Sequence, residues 1–188
     1  YLGIESKFDF ENETYDASIG SNPEYDTDVL RYNYTSLTTP YSVVDHSVVT
    51  QKEEIKKQQE VLGGGFDPKN YTSERLFATA HDGKKIPISI VRHVDTELNK
   101  NTPILQYGYG SYGSTIDPSF SSVRLSLLDR GFVFAIAHIR GSQYLGRSWY
   151  EDGRMLYKKN TFKDFVSCSK FLIENNYTSK AVSYTHLR

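Results

Sequence analysis

The sequence predicts a chain of two parts, a short antiparallel β region followed by an α/β region built on a parallel sheet. Three observations lead to this division. Polar and apolar residues alternate in the first third, near-continuous apolar runs of strand length appear later, and amphipathic segments separate those runs. Alternation is typical of strands with one buried face, whereas continuous apolar runs are typical of parallel strands covered on both faces.

The antiparallel region extends to a boundary that we place near residue 62. In VLRYNYTSL, Leu30, Tyr32 and Tyr34 alternate with polar residues, as expected for a half-buried strand. A second strand is predicted from Tyr41 to Asp45, followed by a turn near His46, a short strand and a charged segment. The stretch VLGGGFDP, rich in glycine, is typical of a connection between elements.

The second region begins with a hairpin in RLFATAHDGKKIPISIVRH, whose two alternating runs meet at Asp82-Gly83, a strong two-residue turn signal. PILQYGY and GFVFAIAHI predict two buried parallel strands. Between them, DPSFSSVRLSLLDRG predicts a helix with Asp117 as its N-cap, Pro118 in its first turn and its exit at Gly131. The predicted buried face of this helix consists of Phe120, Val123 and Leu127.

A second amphipathic helix is predicted in NTFKDFVSCSKFLIENN, and a last short strand from Ala181. The apolar face predicted for this helix consists of Phe162, Phe165, Val166, Leu172 and Ile173. Strands that alternate with helices in this way indicate a parallel sheet with right-handed crossovers.

Composition excludes several classes of function. The net charge of −1 over 188 residues gives no reason to expect a nucleic-acid or membrane partner, and no apolar run reaches the about 18 residues of a membrane span. Cys168 is the single cysteine, so we expect a small buried helix residue and no internal disulfide. The five histidines lack metal-ligand spacing, and no cofactor is implied. A single cysteine fits the cytoplasm, with the periplasm as an alternative, and oligomeric state is not predictable.

The segment ILQYGYGSYGSTIDPSF contains Gly108, Gly110 and Gly113 in the spacing of a dinucleotide-binding loop. That reading fails on context, because the helix is predicted to begin only near Pro118, too far along the chain to receive a pyrophosphate. Two interpretations of the tyrosines in this loop stay open. Their rings pack against neighbouring residues, or one hydroxyl donates to the oxyanion of a tetrahedral intermediate, beside a nucleophile carried elsewhere.

Several blocks of sequence resemble the prolyl oligopeptidase family of serine peptidases, and in particular its oligopeptidase B branch. The blocks are YGYGSYGSTIDPSF, RLSLLDRGFVFAIAHIRG, LGRSWYEDG and KKNTFKDF, with NPEYDTDVLRYNYTSLTTP and KQQEVLGGGFDP upstream. They occur in the family's order and extend from about residue 20 to 180. Such a set is far more specific than the isolated glycine pattern.

The resemblance implies an α/β-hydrolase domain preceded by a seven-bladed β-propeller, with residues 1–62 as the end of the propeller and 63–188 as the first part of the peptidase domain. It implies hydrolysis of short peptides after Lys or Arg. Tyr109 matches the family tyrosine that contributes to the oxyanion hole, and Tyr112 matches a residue of the substrate cavity. Asp117 matches an acid that binds a basic substrate side chain at the second subsite, and the second acid that this branch can carry there is replaced by Ser119.

The family's nucleophile lies in a G-x-S-x-G motif that follows the Phe162 helix and the next strand, and the sequence ends before any such motif. We therefore expect a truncated fragment that lacks the Ser-Asp-His triad and is inactive alone. The alternatives are a prolyl-specific oligopeptidase of the same family and a catalytically dead binding module.

Overall fold

The computed structural model describes residues 7–180 in full and the backbone of residues 183–187. These residues form two β-sheets that follow each other along the chain. A four-stranded sheet has its strands in sequence order, and a five-stranded sheet follows with the order β5-β6-β8-β7-β9. The predicted succession of an antiparallel region and an α/β region is confirmed at this level.

The four-stranded sheet is antiparallel throughout. Its strands are β1 (Tyr15–Ile19), β2 (Val29–Ser36), β3 (Ser42–Ser47) and β4 (Glu53–Gln58). The strand predicted around Tyr32 is confirmed as β2. The charged segment itself forms β4, and the short strand predicted before it is wrong, because Val48 and Val49 lie in an exposed turn that the Gln51 side chain closes by donating to the Val48 carbonyl.

The five-stranded sheet is mixed. Its strands are β5 (Tyr71–Thr79), β6 (Lys85–His93), β7 (Ile104–Gly108), β8 (Val133–Ala137) and β9 (Ser183–Leu187). β5 and β6 form the predicted hairpin, β6 pairs antiparallel with β8, and β7 is parallel to both β8 and β9. The start predicted for the last strand, Ala181, lies outside the described residues.

Three helices accompany this sheet. They are α1 (Ser122–Leu128), α2 (Arg147–Glu151) and α3 (Lys159–Glu174), and 3₁₀ turns occur at Pro68–Asn70 and Met155–Tyr157. The predicted exit of α1 at Gly131 is confirmed by its left-handed φ of 81°. α2 and the second 3₁₀ turn lie in a stretch for which the sequence predicts no element.

The start predicted for α1 is wrong, and Asp117 is not its N-cap. The N-cap is Ser121, four residues later. The reason is a long-range contact: the backbone N–H of Phe120 donates to the hydroxyl oxygen of Thr35 in β2, at 3.1 Å, and is not available to a cap at Asp117. The chain therefore runs along the four-stranded sheet before the helix begins.

The buried faces predicted for α1 and α3 are also partly wrong. In α1, Val123 is exposed and Leu128 is the buried residue. In α3, Phe162 and Val166 are half exposed. The buried residues of α3 are Thr161, Asp164, Phe165, Cys168 and Leu172, which confirms Cys168 as a buried helix residue. The face is rotated because a buried carboxylate on α3 pairs with an arginine of the sheet layer.

An aliphatic core lies between the five-stranded sheet and α3, with Ile86, Ile88 and Ile104 among its fully buried members. A second cluster joins the two sheets, because Leu37 from the end of β2 packs with Leu128 and neighbouring residues. The connection between the sheets contains the boundary predicted near residue 62, which stays a prediction. Within the described ranges, no helix is long and apolar enough to cross a membrane.

Candidate active site

The predicted oxyanion donor, Tyr109, follows directly after the buried strand β7 and is itself half-buried. β7 is parallel to β8 and β9, so the chain leaves the sheet at the edge where the carboxyl ends of the parallel strands meet. This edge is where open α/β sheets hold their ligands. The Phe165 ring of α3 packs against Gly108 at the exit and leaves no room for a larger residue there.

The loop after Tyr109 lies in close contact with the segment that follows β8. A Cβ atom at Gly110 would overlap the Thr161 side chain and lie 2.6 Å from the Arg140 carbonyl oxygen. A Cβ atom at Gly141 would overlap the Gly110 carbonyl, and Gly141 has a left-handed φ of 93°. Gly110 and Gly141 therefore allow two backbones to touch, which is a packing role and not a phosphate-binding one.

Arg140, whose carbonyl lies at this contact, is fixed by several hydrogen bonds. Its guanidinium donates to Asp164 through Nε (2.8 Å) and Nη2 (2.6 Å) and to Asp82 through Nη1 (2.6 Å). Its side chain and that of Asp164 are both essentially inaccessible, so the ion pair is fully desolvated. The Thr161 hydroxyl donates to the Arg140 carbonyl at 2.8 Å. The hydrogen bonds that Asp164 accepts from Arg140 raise the pKa of Arg140, and the arginine lowers the pKa of Asp82.

Lys158 also contacts the loop after Tyr109. Its Nζ donates to the Gly110 carbonyl and, at 2.7 Å, to the Ser111 hydroxyl. The far end of the loop is tied to the same neighbour by two backbone hydrogen bonds, from Gly113 N–H to Gly141 O (3.0 Å) and from Gln143 N–H to Gly113 O (3.2 Å). The loop is thus held along its length. Burial lowers the pKa of Lys158.

Tyr112 is highly exposed, with 87% of its surface accessible. It lines a cavity of about 240 Å³ together with Lys158, Met155 and residues of the segments already described. Tyr112 and Met155 both have left-handed backbone conformations, with φ of 57° and 45°. Non-glycine residues seldom adopt this conformation, and such strain is concentrated at functional sites.

Asp117 does not line this cavity. It is exposed and accepts a hydrogen bond from the Thr115 hydroxyl at 3.3 Å. Burial raises the pKa of Asp16 of β1, and the negative charge of Asp117 raises it further. Sequence reasoning missed this electrostatic interaction, since Asp16 precedes Asp117 by 101 positions.

A second pair missed by sequence reasoning is Ser89 and His138, on the neighbouring strand β6 and just after β8. Ser89 Oγ lies 2.7 Å from His138 Nε2. The His138 ring stacks on Tyr144 with centroids 3.6 Å apart. Both residues are buried, so no substrate reaches them. Burial lowers the pKa of His138 well below its usual value, and the charge of Arg75 contributes. No local pattern in the sequence predicts this contact.

Comparison with known proteins gives a consistent relationship. The family model described as "Prolyl oligopeptidase family" matches residues 118–184. Dipeptidyl aminopeptidase BI of Pseudoxanthomonas mexicana is 45% identical over 171 residues, which cover 90% of this chain and 23% of the relative. Protease 2 of Moraxella lacunata is 40% identical over 165 residues, covering 88% of this chain and 24% of the relative.

The chain is similar to the prolyl oligopeptidase family over residues 118–184 and to these two relatives over 90% and 88% of its length. A solved structure agrees at the level of the fold: oligopeptidase B from Trypanosoma brucei, in a closed form with covalently bound antipain, has a TM-score of 0.85 and 42% identity. The match covers 96% of this chain and 26% of that one. The chain thus spans about a quarter of the length of the proteins it matches. The roles predicted for Tyr109, Tyr112 and Asp117 stay predictions.

Proposed function

We propose that the protein containing this chain is a serine peptidase of the oligopeptidase B type, which hydrolyses short peptides after Lys or Arg through an acyl-enzyme. In this proposal residues 1–62 are the end of a β-propeller, and residues 63–188 are the first part of an α/β-hydrolase domain. The match of residues 118–184 to the family model and the 42% identity to an oligopeptidase B structure support the assignment.

The observation that carries the proposal is the position of Tyr109. It follows a parallel strand at the ligand-binding edge of the sheet, on a loop held by Lys158 and by the backbone near Gly141. A hydrogen-bond donor stabilises an oxyanion best when it is fixed before the reaction, because no reorganisation is then needed. The Tyr109 hydroxyl would donate to the oxyanion of the tetrahedral intermediate.

Asp117 would favour a basic substrate side chain at the second subsite, whereas the pocket for the Lys or Arg that precedes the cleaved bond is expected outside the described residues. The Asp117 carboxylate is exposed, and its negative charge acts on Asp16 as well. A substrate lysine or arginine would be attracted to this negative charge, and an apolar side chain would not. Tyr112, which lines the neighbouring cavity, would contact the substrate through its ring.

The nucleophile is expected outside the described residues. Among residues 7–180, the hydroxyl–imidazole hydrogen bond is that of Ser89 and His138, which are buried and cannot meet a peptide. We therefore expect the 188-residue chain alone to be inactive, and the proposal concerns the full-length gene product.

The test is hydrolysis of fluorogenic peptides by the full-length protein. We expect cleavage after Arg and Lys, little after Pro, and loss of activity with an organophosphorus reagent that modifies the serine. Tyr109→Phe should lower kcat by about 10²–10³ with KM little changed, as expected for loss of an oxyanion donor. The matched control is Tyr157→Phe, which removes a hydroxyl from a nearby exposed ring and should leave kcat unchanged.

Cleavage after Pro alone would replace this proposal by a prolyl-specific one, and binding of peptides without hydrolysis would favour a binding module. A second candidate follows from the 45% identical relative, whose name denotes release of dipeptides from the amino terminus. Peptides with a free or a blocked amino terminus separate the two candidates. An endopeptidase cleaves both, whereas a dipeptidyl aminopeptidase cleaves the free one.

A further inference from the structure

Lys158 connects the start of α3 to the loop after β7, although it follows Ser111 of that loop by 47 positions in the sequence. It lies between the 3₁₀ turn Met155–Tyr157 and helix α3, and its ammonium contacts two consecutive residues of the Tyr109 loop. The acceptors are the Gly110 carbonyl and the Ser111 hydroxyl, the latter at 2.7 Å. These residues follow Tyr109 directly.

We propose that Lys158 is a positioning residue for catalysis, which fixes the backbone immediately after Tyr109 and so holds the Tyr109 hydroxyl where the oxyanion forms. This inference rests on the proposed function. It goes beyond it by assigning a role to a residue that does not touch the reacting atoms.

The other hydrogen bonds restrain the loop at its two ends. Strand β7 fixes the chain up to Gly108, and the hydrogen bonds of Gly113 fix the far end. Between these points, Gly110 and its carbonyl are packed against Gly141 and Thr161, but among the described residues the carbonyl accepts no backbone hydrogen bond. The Lys158 ammonium is the group that bonds this carbonyl.

The turn that follows is closed internally and tied down at its far end, so Lys158 restrains the end nearest Tyr109. Tyr112 has a left-handed φ of 57°, and a backbone hydrogen bond from Ser114 N–H to Ser111 O, at 3.1 Å, closes the turn around it. Without the Lys158 hydrogen bonds to Gly110 and Ser111, the start of this turn would be free to shift. The shift would begin one residue after Tyr109, and a displacement of about 1 Å is enough to reduce catalysis strongly.

An ammonium group suits the two acceptors. It is a compact charge with three donors, so it can satisfy a carbonyl and a hydroxyl together. Hydrogen bonds to charged groups are stronger than those between neutral groups. Methionine has a similar length and no donor, which makes Lys158→Met the direct test. Lys159, the next residue, is exposed and provides a matched control, Lys159→Met.

The experiment uses the full-length protein, a peptide substrate and the corresponding peptide aldehyde, which forms a tetrahedral adduct with the nucleophile. We expect Lys158→Met to lower kcat about tenfold, corresponding to about 1.4 kcal/mol, with KM unchanged. The inhibition constant of the aldehyde should increase by the same factor, because the aldehyde adduct resembles the tetrahedral intermediate. A loss of folded protein would not change an inhibition constant. Lys159→Met should behave as the unmodified protein.

A double variant tests whether Lys158 acts through Tyr109. If it does, Lys158→Met should have no further effect on kcat in a Tyr109→Phe background, because the hydroxyl to be positioned is absent. A full tenfold effect in that background, or unchanged kcat and inhibition constant in the single variant, would overturn the inference. If Tyr109→Phe itself has no effect, the proposed role of Tyr109 fails instead.

If Lys158→Met does not fold, Ser111→Ala removes one of the two acceptors from a half-buried surface residue. We expect a two- to threefold decrease in kcat and a matching increase in the aldehyde inhibition constant, in keeping with a fractional loss of the restraint. Equal constants in Ser111→Ala and the unmodified protein would count against the role of Lys158.

Discussion

An arginine is held by an aspartate through two side-chain hydrogen bonds in the four-stranded sheet and again beside the five-stranded sheet, in opposite surroundings. In the four-stranded sheet, Arg31 of β2 and Asp45 of β3 face each other at 2.6 and 2.8 Å, with side chains 42% and 15% exposed. Beside the five-stranded sheet, Arg140 and Asp164 are joined at 2.8 and 2.6 Å with 1% and 0% exposed. The same chemical pair is a surface link in one sheet and a buried junction in the other.

The difference reflects how each sheet is stabilised. The four-stranded sheet buries few aliphatic side chains and relies on an aromatic group, in which Phe10 stacks on Tyr34 with centroids 5.0 Å apart. The five-stranded sheet has an extensive aliphatic core that excludes water from Arg140. A polar contact contributes little where water competes with it, and its loss costs much where water is absent.

The largest expected effect is that of Asp164→Asn, which leaves a buried arginine with a weakened partner. We expect it to lower the free energy of unfolding by about 3–5 kcal/mol. Asp45→Asn makes the same chemical change at the surface pair and should cost about 0–1 kcal/mol. Urea-induced unfolding followed by circular dichroism measures both. Similar losses in the two variants would contradict the contrast between the sheets.

A smaller effect is expected from adding one methyl group at the backbone contact beside Tyr109. Gly110→Ala places a Cβ atom against Thr161 and the Arg140 carbonyl, which belong to a buried layer and cannot move freely. We expect a cost of about 1–3 kcal/mol, as for other overpacked sites. Just after β1, Gly20→Ala would place a Cβ atom 3.0 Å from Arg31 Cγ and 3.1 Å from the Arg31 carbonyl oxygen, contacts that a shift of a few tenths of an ångström relieves, and a cost of at most about 1 kcal/mol is expected. Thermal unfolding of the two variants compares them, and a larger loss for Gly20→Ala would reverse the argument.

The sequence predicts well those features that depend on neighbouring residues. The β5–β6 hairpin follows from alternation and the Asp82-Gly83 turn, and the continuous apolar run predicts β8. The family resemblance also indicates that the loop after β7 contains candidate site residues. These signals lie within a few residues of the element that they predict, so a single sequence is enough to detect them.

Features that depend on distant residues were not predictable. α1 begins late because Thr35 accepts the N–H of Phe120, and the buried face of α3 includes Asp164 because Arg140 lies opposite. Lys158 is one of several lysines in a charged stretch, and its contact with Gly110 appears only once the chain is folded. In each case a polar partner far along the chain overrides the local pattern.

The smallest expected effect concerns pH and the buried His138. In the folded protein, burial and the charge of Arg75 lower the pKa of His138 well below 6.5. The unfolded chain therefore takes up a proton as the pH falls through about 6.5, while the folded one does not. The free energy of unfolding should be constant above this pH and decrease below it, by at most about 1.4 kcal/mol per pH unit.

The variant His138→Gln should flatten this part of the pH dependence, because the residue that titrates only on unfolding is gone. Ser89→Ala is the matched control: it removes the 2.7 Å contact but leaves the ring buried against Tyr144, so the slope should persist at a lower overall stability. Urea unfolding between pH 5 and 7.5 gives the slopes. An unchanged slope in His138→Gln would assign the acid sensitivity to residues outside this core, and the four-stranded sheet would then be the first place to search.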